Sequence, residues 1–330
     1  MTQNVKCLYL YKFSRYHCMI DVILQEIASI LLFFYAIGRF SKMIMHINAS
    51  TLKSFMQKIT YTPVRSILFG TFTTALIQSQ KAVSSIALSL VNAGALTAMS
   101  CVPIILATTI GASSTAFLVS LKWASMEECL IIAGAILKKI KKCFNIGNAI
   151  FYLGLILFAL ELMMGATSVL KENKTFLQIF LFTKNPIILF FVGCILTCLF
   201  QSPALVISIV TILVSCDILN LQCAMYVATG VTVGASISLF LIVLGMNKEA
   251  KMAYYINTIL ISLCGFGSLL ATSLFVIIGS SFNDKAVGFA VANAISRITI
   301  ALLSVMIFLI VSYLEKSKTL KGQTTENNNV

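Results

Sequence analysis

Two short polar interruptions stand out in an otherwise apolar chain: Gln78-Ser79-Gln80-Lys81 and Gln201-Ser202-Pro203. A glutamine amide offers two N–H donors and a carbonyl acceptor, and a serine hydroxyl both donates and accepts. Such groups line a site for an oxyanion or for Na+ without the desolvation penalty of a fixed charge. Pro203 removes a backbone donor and confines Ser202 to extended geometry, which ends a helix there. A single Gln-Ser pair in a membrane helix is ordinarily packing glue. Here the pair occurs twice in one register. Pro63 recurs as Pro186, 123 positions on. The same spacing pairs Gly70 with Gly193, Thr74 with Thr197, Leu76 with Leu199, Gln78-Ser79 with Gln201-Ser202 and Ser85 with Ser208. It then pairs Thr109 with Thr232, Gly111-Ala112-Ser113 with Gly234-Ala235-Ser236, and Leu121 with Leu244, without a gap. Apolar matches carry little weight in a Leu/Ile-rich chain; Pro, Gly, Gln and Ser in a single register do.

The elements that hold these residues are membrane helices. The chain has 330 residues, 59% hydrophobic and 11% charged. A soluble globular chain carries about 25% charged residues, so too few are present to cover a water-facing surface. This excludes a soluble enzyme, a disordered chain and a nucleic-acid-binding module, and leaves a polytopic membrane protein in contact with the lipid bilayer. The net charge of +13 comes from 24 Lys/Arg against 11 Asp/Glu. The basic residues sit between apolar runs, as in Arg39, Lys42, Lys53, Lys58 and Arg65, then Lys138, Lys139, Lys141 and Lys142, then Lys171, Lys174 and Lys184. That is where a membrane protein fixes its orientation and meets anionic lipid; no nucleic acid is an expected partner. Trp123 reads as an interfacial anchor. The ten Cys are scattered and read as small buried hydrophobes. His17 and His46 have no partner at metal-ligand spacing. No catalytic constellation is found, so no enzyme is expected, nor any metal beyond Na+.

The run 19–37 reads as a first membrane helix. Further apolar runs fall at 64–79, 82–100, 102–121, 129–137, 146–170, 186–200, 204–219, 221–246, 252–279 and 286–314. A crossing needs about 20 residues. The runs 64–79 with 82–100, and 186–200 with 204–219, therefore read as paired half-length helices, the signature of re-entrant hairpins. The expected fold is all-α and polytopic, a single membrane domain over 1–330. Repeat one spans 20–140 with its hairpin near 63–100; repeat two spans 145–280 with its hairpin near 186–219. A final membrane helix at 286–314 and a polar, disordered tail at 315–330 complete it. Two repeats in a membrane chain point to a transporter. Its site lies near the midplane where the repeats meet, and broken helices present free N–H groups to an anion. The expected location is the plasma (inner) membrane, multi-pass.

Gly70-x-x-x-Thr74-x-Leu76-x-Gln78-Ser79, followed by Val91-Asn92-Ala93-Gly94-Ala95-Leu96-Thr97 and Ile110-Gly111-Ala112-Ser113, resembles the type II sodium/phosphate cotransporters. Their pattern is G-x-x-x-T-A-x-x-Q-S-S-S-A, then V-N-A-G-L-L-T, then G-A-N-I-G-T-T. The second copy reads Gly193-x-x-x-Thr197-x-Leu199-x-Gln201-Ser202, then Val233-Gly234-Ala235-Ser236. Leu244 to Lys251 resembles a family loop, G-G-N-R-E-A-K-R. The resemblance implies inverted-topology repeats, a hairpin in each, Na+ coupling, and inorganic phosphate or a similar oxyanion as substrate. It implies no cofactor besides Na+ as coupling ion, and is compatible with a homodimer. By position, Gln78, Ser79, Gln201 and Ser202 line the substrate and ion sites. Thr109 and Thr232 stand where the family has Asn in its last motif, and Ser113 and Ser236 at its second Thr. With Gln80, Thr74 and Thr197 they form a second tier.

The chain departs from the pattern. Neither interruption keeps Q-S-S-S, Ala112 and Ala235 replace a Thr, and no helical regulatory domain follows the bundle. Lys81 allows three readings: a fixed cation in place of a bound Na+, a direct partner of an anionic substrate, or a side chain that snorkels to water. Glu161, Asp217 and Arg297 are open between an ion site and an interface position. The leading expectation is a secondary active transporter of phosphate or a related oxyanion by alternating access. The alternative is a non-transporting membrane sensor or accessory subunit with a degenerate ion site.

Overall fold

The computed structural model describes residues 21–22, 24–40, 42–43, 62–120, 126–170 and 184–327. The readings placed on His17, His46, Lys53, Lys58, Trp123, Lys171 and Lys174 lie outside these residues. Helix α1 covers 24–40. It is followed by α2 (Pro63–Ile77), α3 (Gln80–Asn92), α4 (Ala98–Gly111), α5 (Ser114–Ser120), α6 (Met126–Leu137) and α7 (Phe144–Leu170). The second half holds α8 (Pro186–Phe200), α9 (Pro203–Ser215), α10 (Leu221–Ile237), α11 (Phe240–Val243), α12 (Lys248–Ser268), α13 (Thr272–Ser280) and α14 (Lys285–Asn327). No strand occurs among the described residues.

Among the described residues, four segments are long and apolar enough to cross a membrane: Ala98–Ser120, Phe144–Met163, Leu221–Val243 and Lys285–Leu314. Helices α12 and α13 make a fifth, bent by 67°. The chain is a multi-pass membrane protein. The bend divides the apolar run 252–279 that composition alone presents as one helix. Gly265 and Gly267 lie in the last turn of α12, where a missing side chain weakens helix continuity.

The half-length helices are inside-out by the standards of a soluble protein. Helix α2 exposes Val64, Leu68, Phe72 and Leu76, one stripe at i, i+4 spacing, and buries Ser66, Gly70, Thr73 and Thr74. Helix α8 repeats the pattern 123 positions on, exposing Ile187, Phe191, Ile195 and Leu199 and burying Gly193, Cys194 and Thr197. In lipid the large apolar side chains gain nothing by leaving the tails, so small residues mediate the helix contact. A Cβ on Gly70 would lie 2.5 Å from the Ile104 carbonyl oxygen. One on Gly193 would strike the carbonyl oxygen of Val227, and one on Gly230 that of Phe190. These glycines lock α2 onto α4 and α8 onto α10.

The turns correspond as well. After α3, Gly94 sits at φ 71; after α9, Asp217 sits at φ 59, where a side chain is normally disfavoured. Asp217 accepts from Lys285 Nζ at 2.5 Å, an exposed ion pair at the start of α14. Thr97 caps α4 by accepting from Ser100 N, and Asn220 caps α10 by accepting from Cys223 N.

Helix α14 packs against α4 and α5 from the first copy and against α9 and α10 from the second. A residue midway along it therefore lies between the two copies. Helix α14 also continues to Asn327, through the segment 315–327 whose polar composition reads as a disordered tail. Good helix formers such as Glu315, Lys316, Leu320 and Lys321 extend it, with Gly322 the one intrinsic breaker.

Candidate functional site

Both interruptions adopt the same backbone. Gln78 ends α2 in the left-handed region (φ 55, ψ 27), and Gln201 ends α8 there (φ 53, ψ 22). The next residues are extended: Ser79 at φ −145, ψ 95 and Ser202 at φ −143, ψ 97. Each serine then caps the following helix. Ser79 Oγ accepts from Ala82 N at 3.2 Å and Ser202 Oγ from Leu205 N at 3.4 Å. The glutamine side chains fold back alike: Gln78 Nε2 donates to Ala75 O and Gln201 Nε2 to Cys198 O, each at 2.5 Å.

The remaining amide atoms divide the two copies. Gln78 Nε2 also donates to Ser114 Oγ (2.8 Å), and its Oε1 accepts from Thr115 Oγ1 (3.1 Å). Both partners are on α5, so the first break is tied within its own half. Gln201 Oε1 instead accepts from Lys81 Nζ at 2.5 Å. That bond joins the second break to the first.

A cavity of about 430 Å³ lies where they meet. Gln78, Ser79, Gln80 and Lys81 line it from one break, and Gln201, Ser202, Pro203 and Ala204 from the other. Phe34, Ile37 and Lys42 close it beside α1. Arg297 of α14 completes the wall. Lys42, Lys81 and Arg297 all line the cavity, and among the described residues no carboxylate does. The first turns of α3 and α9 lie on this wall with the positive ends of two helix dipoles, although Ala82 N and Leu205 N already bond to the serine caps and Pro203 has no N–H.

Arg297 is the most unusual of these residues. It is 1% exposed. Its Nε donates to Asn293 Oδ1 at 3.2 Å, while Nη1 and Nη2 are buried with no partner among the described residues. Burying an ion costs several kcal/mol unless a partner offsets it, on the order of 3–5 when one member of a buried pair is missing. A planar fork with two free nitrogens matches the edge of an oxyanion.

Residues 32–165, which contain the first break, match the family model for the Na+/Pi-cotransporter. The match covers less than half of the chain, which is to that extent similar to the Na+/Pi-cotransporter family. The family is one of transporters. The uncharacterized protein YqeW of Bacillus subtilis (strain 168) is 23% identical over 242 residues, covering 72% of this chain and 79% of the relative. No solved structure matches the chain.

The cavity gathers Gln78, Ser79, Lys81, Gln201 and Ser202, together with Gln80. The other second-tier residues stay off the cavity wall. Thr197 Oγ1 donates to Gly193 O and Thr232 Oγ1 to Ala228 O, each on its own helix. Ser113 Oγ donates to Ile110 O. Thr109 Oγ1 accepts from Gln80 Nε2 at 3.4 Å, and Ser236 Oγ from Asn257 Nδ2 at 3.4 Å. Thr74 is fully buried with its hydroxyl unpartnered. Glu161 lies with Glu127 and Glu128 between α6 and α7, away from the cavity. Motif reading leaves Arg297 open. The signal for it is present, since Arg297 is the one charged residue between Lys285 and Glu315, inside the last apolar run.

Proposed function

We propose that this chain is a secondary transporter of inorganic phosphate or a related oxyanion. It works in the plasma (inner) membrane by alternating access between two inverted repeats, with α2–α3 and α8–α9 serving as their re-entrant hairpins. The observation that carries the reading is Arg297, a buried guanidinium on the cavity wall whose Nη1 and Nη2 lack partners among the described residues, none of which brings a carboxylate to that wall. An arriving oxyanion takes the Arg297 fork, the Lys81 ammonium and the first-turn N–H groups of α3 and α9. Ser79 and Ser202 retain hydroxyl capacity beside it. Binding draws Lys81 from Gln201 toward the anion. That exchange loosens the bond between the halves, which then rearrange and expose the cavity to the other side.

Uptake of labelled phosphate into proteoliposomes tests this reading. Saturable uptake, inhibited by unlabelled phosphate, is the expected result. A folded, reconstituted protein that takes up no oxyanion would contradict it. The second reading, a sensor or accessory subunit, draws on Gln80-Lys81 and Pro203-Ala204 where Q-S-S-S has its last two serines. Saturable phosphate binding without uptake supports that reading.

A further inference from the structure

The family's coupling ion needs oxygen ligands, and the cavity has few to give. Na+ is a hard cation, held like other hard cations by several carboxylate, carbonyl and hydroxyl oxygens together. Gln78 Oε1 already accepts from Thr115 and Gln201 Oε1 from Lys81. Both serine hydroxyls accept from helix N–H groups. Gln80 Oε1 is unpartnered, and a lone amide oxygen does not make a cation site. Among the described residues no carboxylate lines the cavity, while Lys42, Lys81 and Arg297 do. A free cation entering it meets three fixed positive charges and no negative one. The side chains on the cavity wall do not make a Na+ site.

They fit a cation that the protein carries itself. The Lys81 ammonium is a compact charge with three donors. It occupies the oxygen of the second-break glutamine at 2.5 Å. The corresponding position of the second copy is Ala204, so this charge is single and reaches from one break to the other. We infer that Lys81 is a resident cation which takes the place of the coupling ion, so that the anion is carried without Na+. The inference rests on the anion-transport reading above and goes beyond it.

The test is phosphate uptake into proteoliposomes in Na+, K+ or choline salts, for the wild type, Lys81→Arg and Lys81→Met. Wild-type uptake is expected to be equal in the three salts and indifferent to an imposed Na+ gradient. Lys81→Met should lower uptake at least about tenfold in choline, the loss expected for one hydrogen bond to a charged group. Lys81→Arg should keep more of it. Size-exclusion profiles and phosphate titrations of the variants separate misfolding from a lost charge. Wild-type uptake that requires Na+ would overturn the inference and leave the transport reading standing. So would unchanged Na+-free uptake by Lys81→Met. Absence of uptake by the wild type in every salt removes the transport reading, and the inference with it.

Discussion

Arg297→Met lowers phosphate uptake by about 100-fold or more, while the protein unfolds at the same temperature or a higher one. The two halves of this expectation have different origins. Truncating one member of a buried, charged contact costs about 2–5 kcal/mol of binding, and about 2.7 kcal/mol is a hundredfold. Stability moves the other way. The guanidinium is 1% exposed, with Nη1 and Nη2 unpartnered among the described residues. Replacing a buried charge by an apolar side chain of similar length is neutral or stabilising. Arg297→Lys keeps the charge and loses the planar fork, so it recovers part of the uptake. Transport assays and thermal unfolding in detergent read the two quantities separately. Retained uptake, or a large fall in unfolding temperature, would make Arg297 a structural residue instead.

Gly230→Val has the opposite signature, losing stability and uptake together. A Cβ at Gly230 runs into the carbonyl oxygen of Phe190 and lies 3.1 Å from Cys194 N. Both obstacles are backbone, so neither moves aside as a side-chain tip would. Helices α8 and α10 must separate, and the second break moves with α8. The expected cost is about 3 kcal/mol, the upper part of the overpacking range. Gly267→Ala on α12 is the control. Nothing lies within 4 Å of its added Cβ, and a helical Gly→Ala change stabilises by up to about 1 kcal/mol. Unfolding of both variants in denaturing detergent checks the pair. A Gly230→Val protein as stable as the control would contradict the close packing of α8 on α10.

How much of this was legible in the residues follows from what each inference needed. The breaks were legible because Gln, Ser and Pro are scarce in apolar runs and their chemistry shows in their type. The shared dihedrals of Gln78 and Gln201 follow a spacing written directly in the chain. The bond from Lys81 to Gln201 was not legible, since it depends on how two distant helices dock. Where the threonine hydroxyls point was not legible either, for a local reason. A hydroxyl inside a helix satisfies itself on a carbonyl four residues back, as Thr197 and Thr232 do. A motif does not distinguish such a hydroxyl from one that faces a cavity. Arg297 was visible as a lone charge in an apolar run. Its role depends on α14 lying between the two copies, which no local pattern encodes.

The most direct measurement is a calorimetric titration of phosphate into the purified protein in choline buffer, repeated with Arg297→Met. A saturable heat in the wild type that vanishes in the variant is the predicted result. No phosphate binding by the folded wild type in either choline or Na+, or equal binding by the variant, would contradict an anion site at the junction of the two breaks.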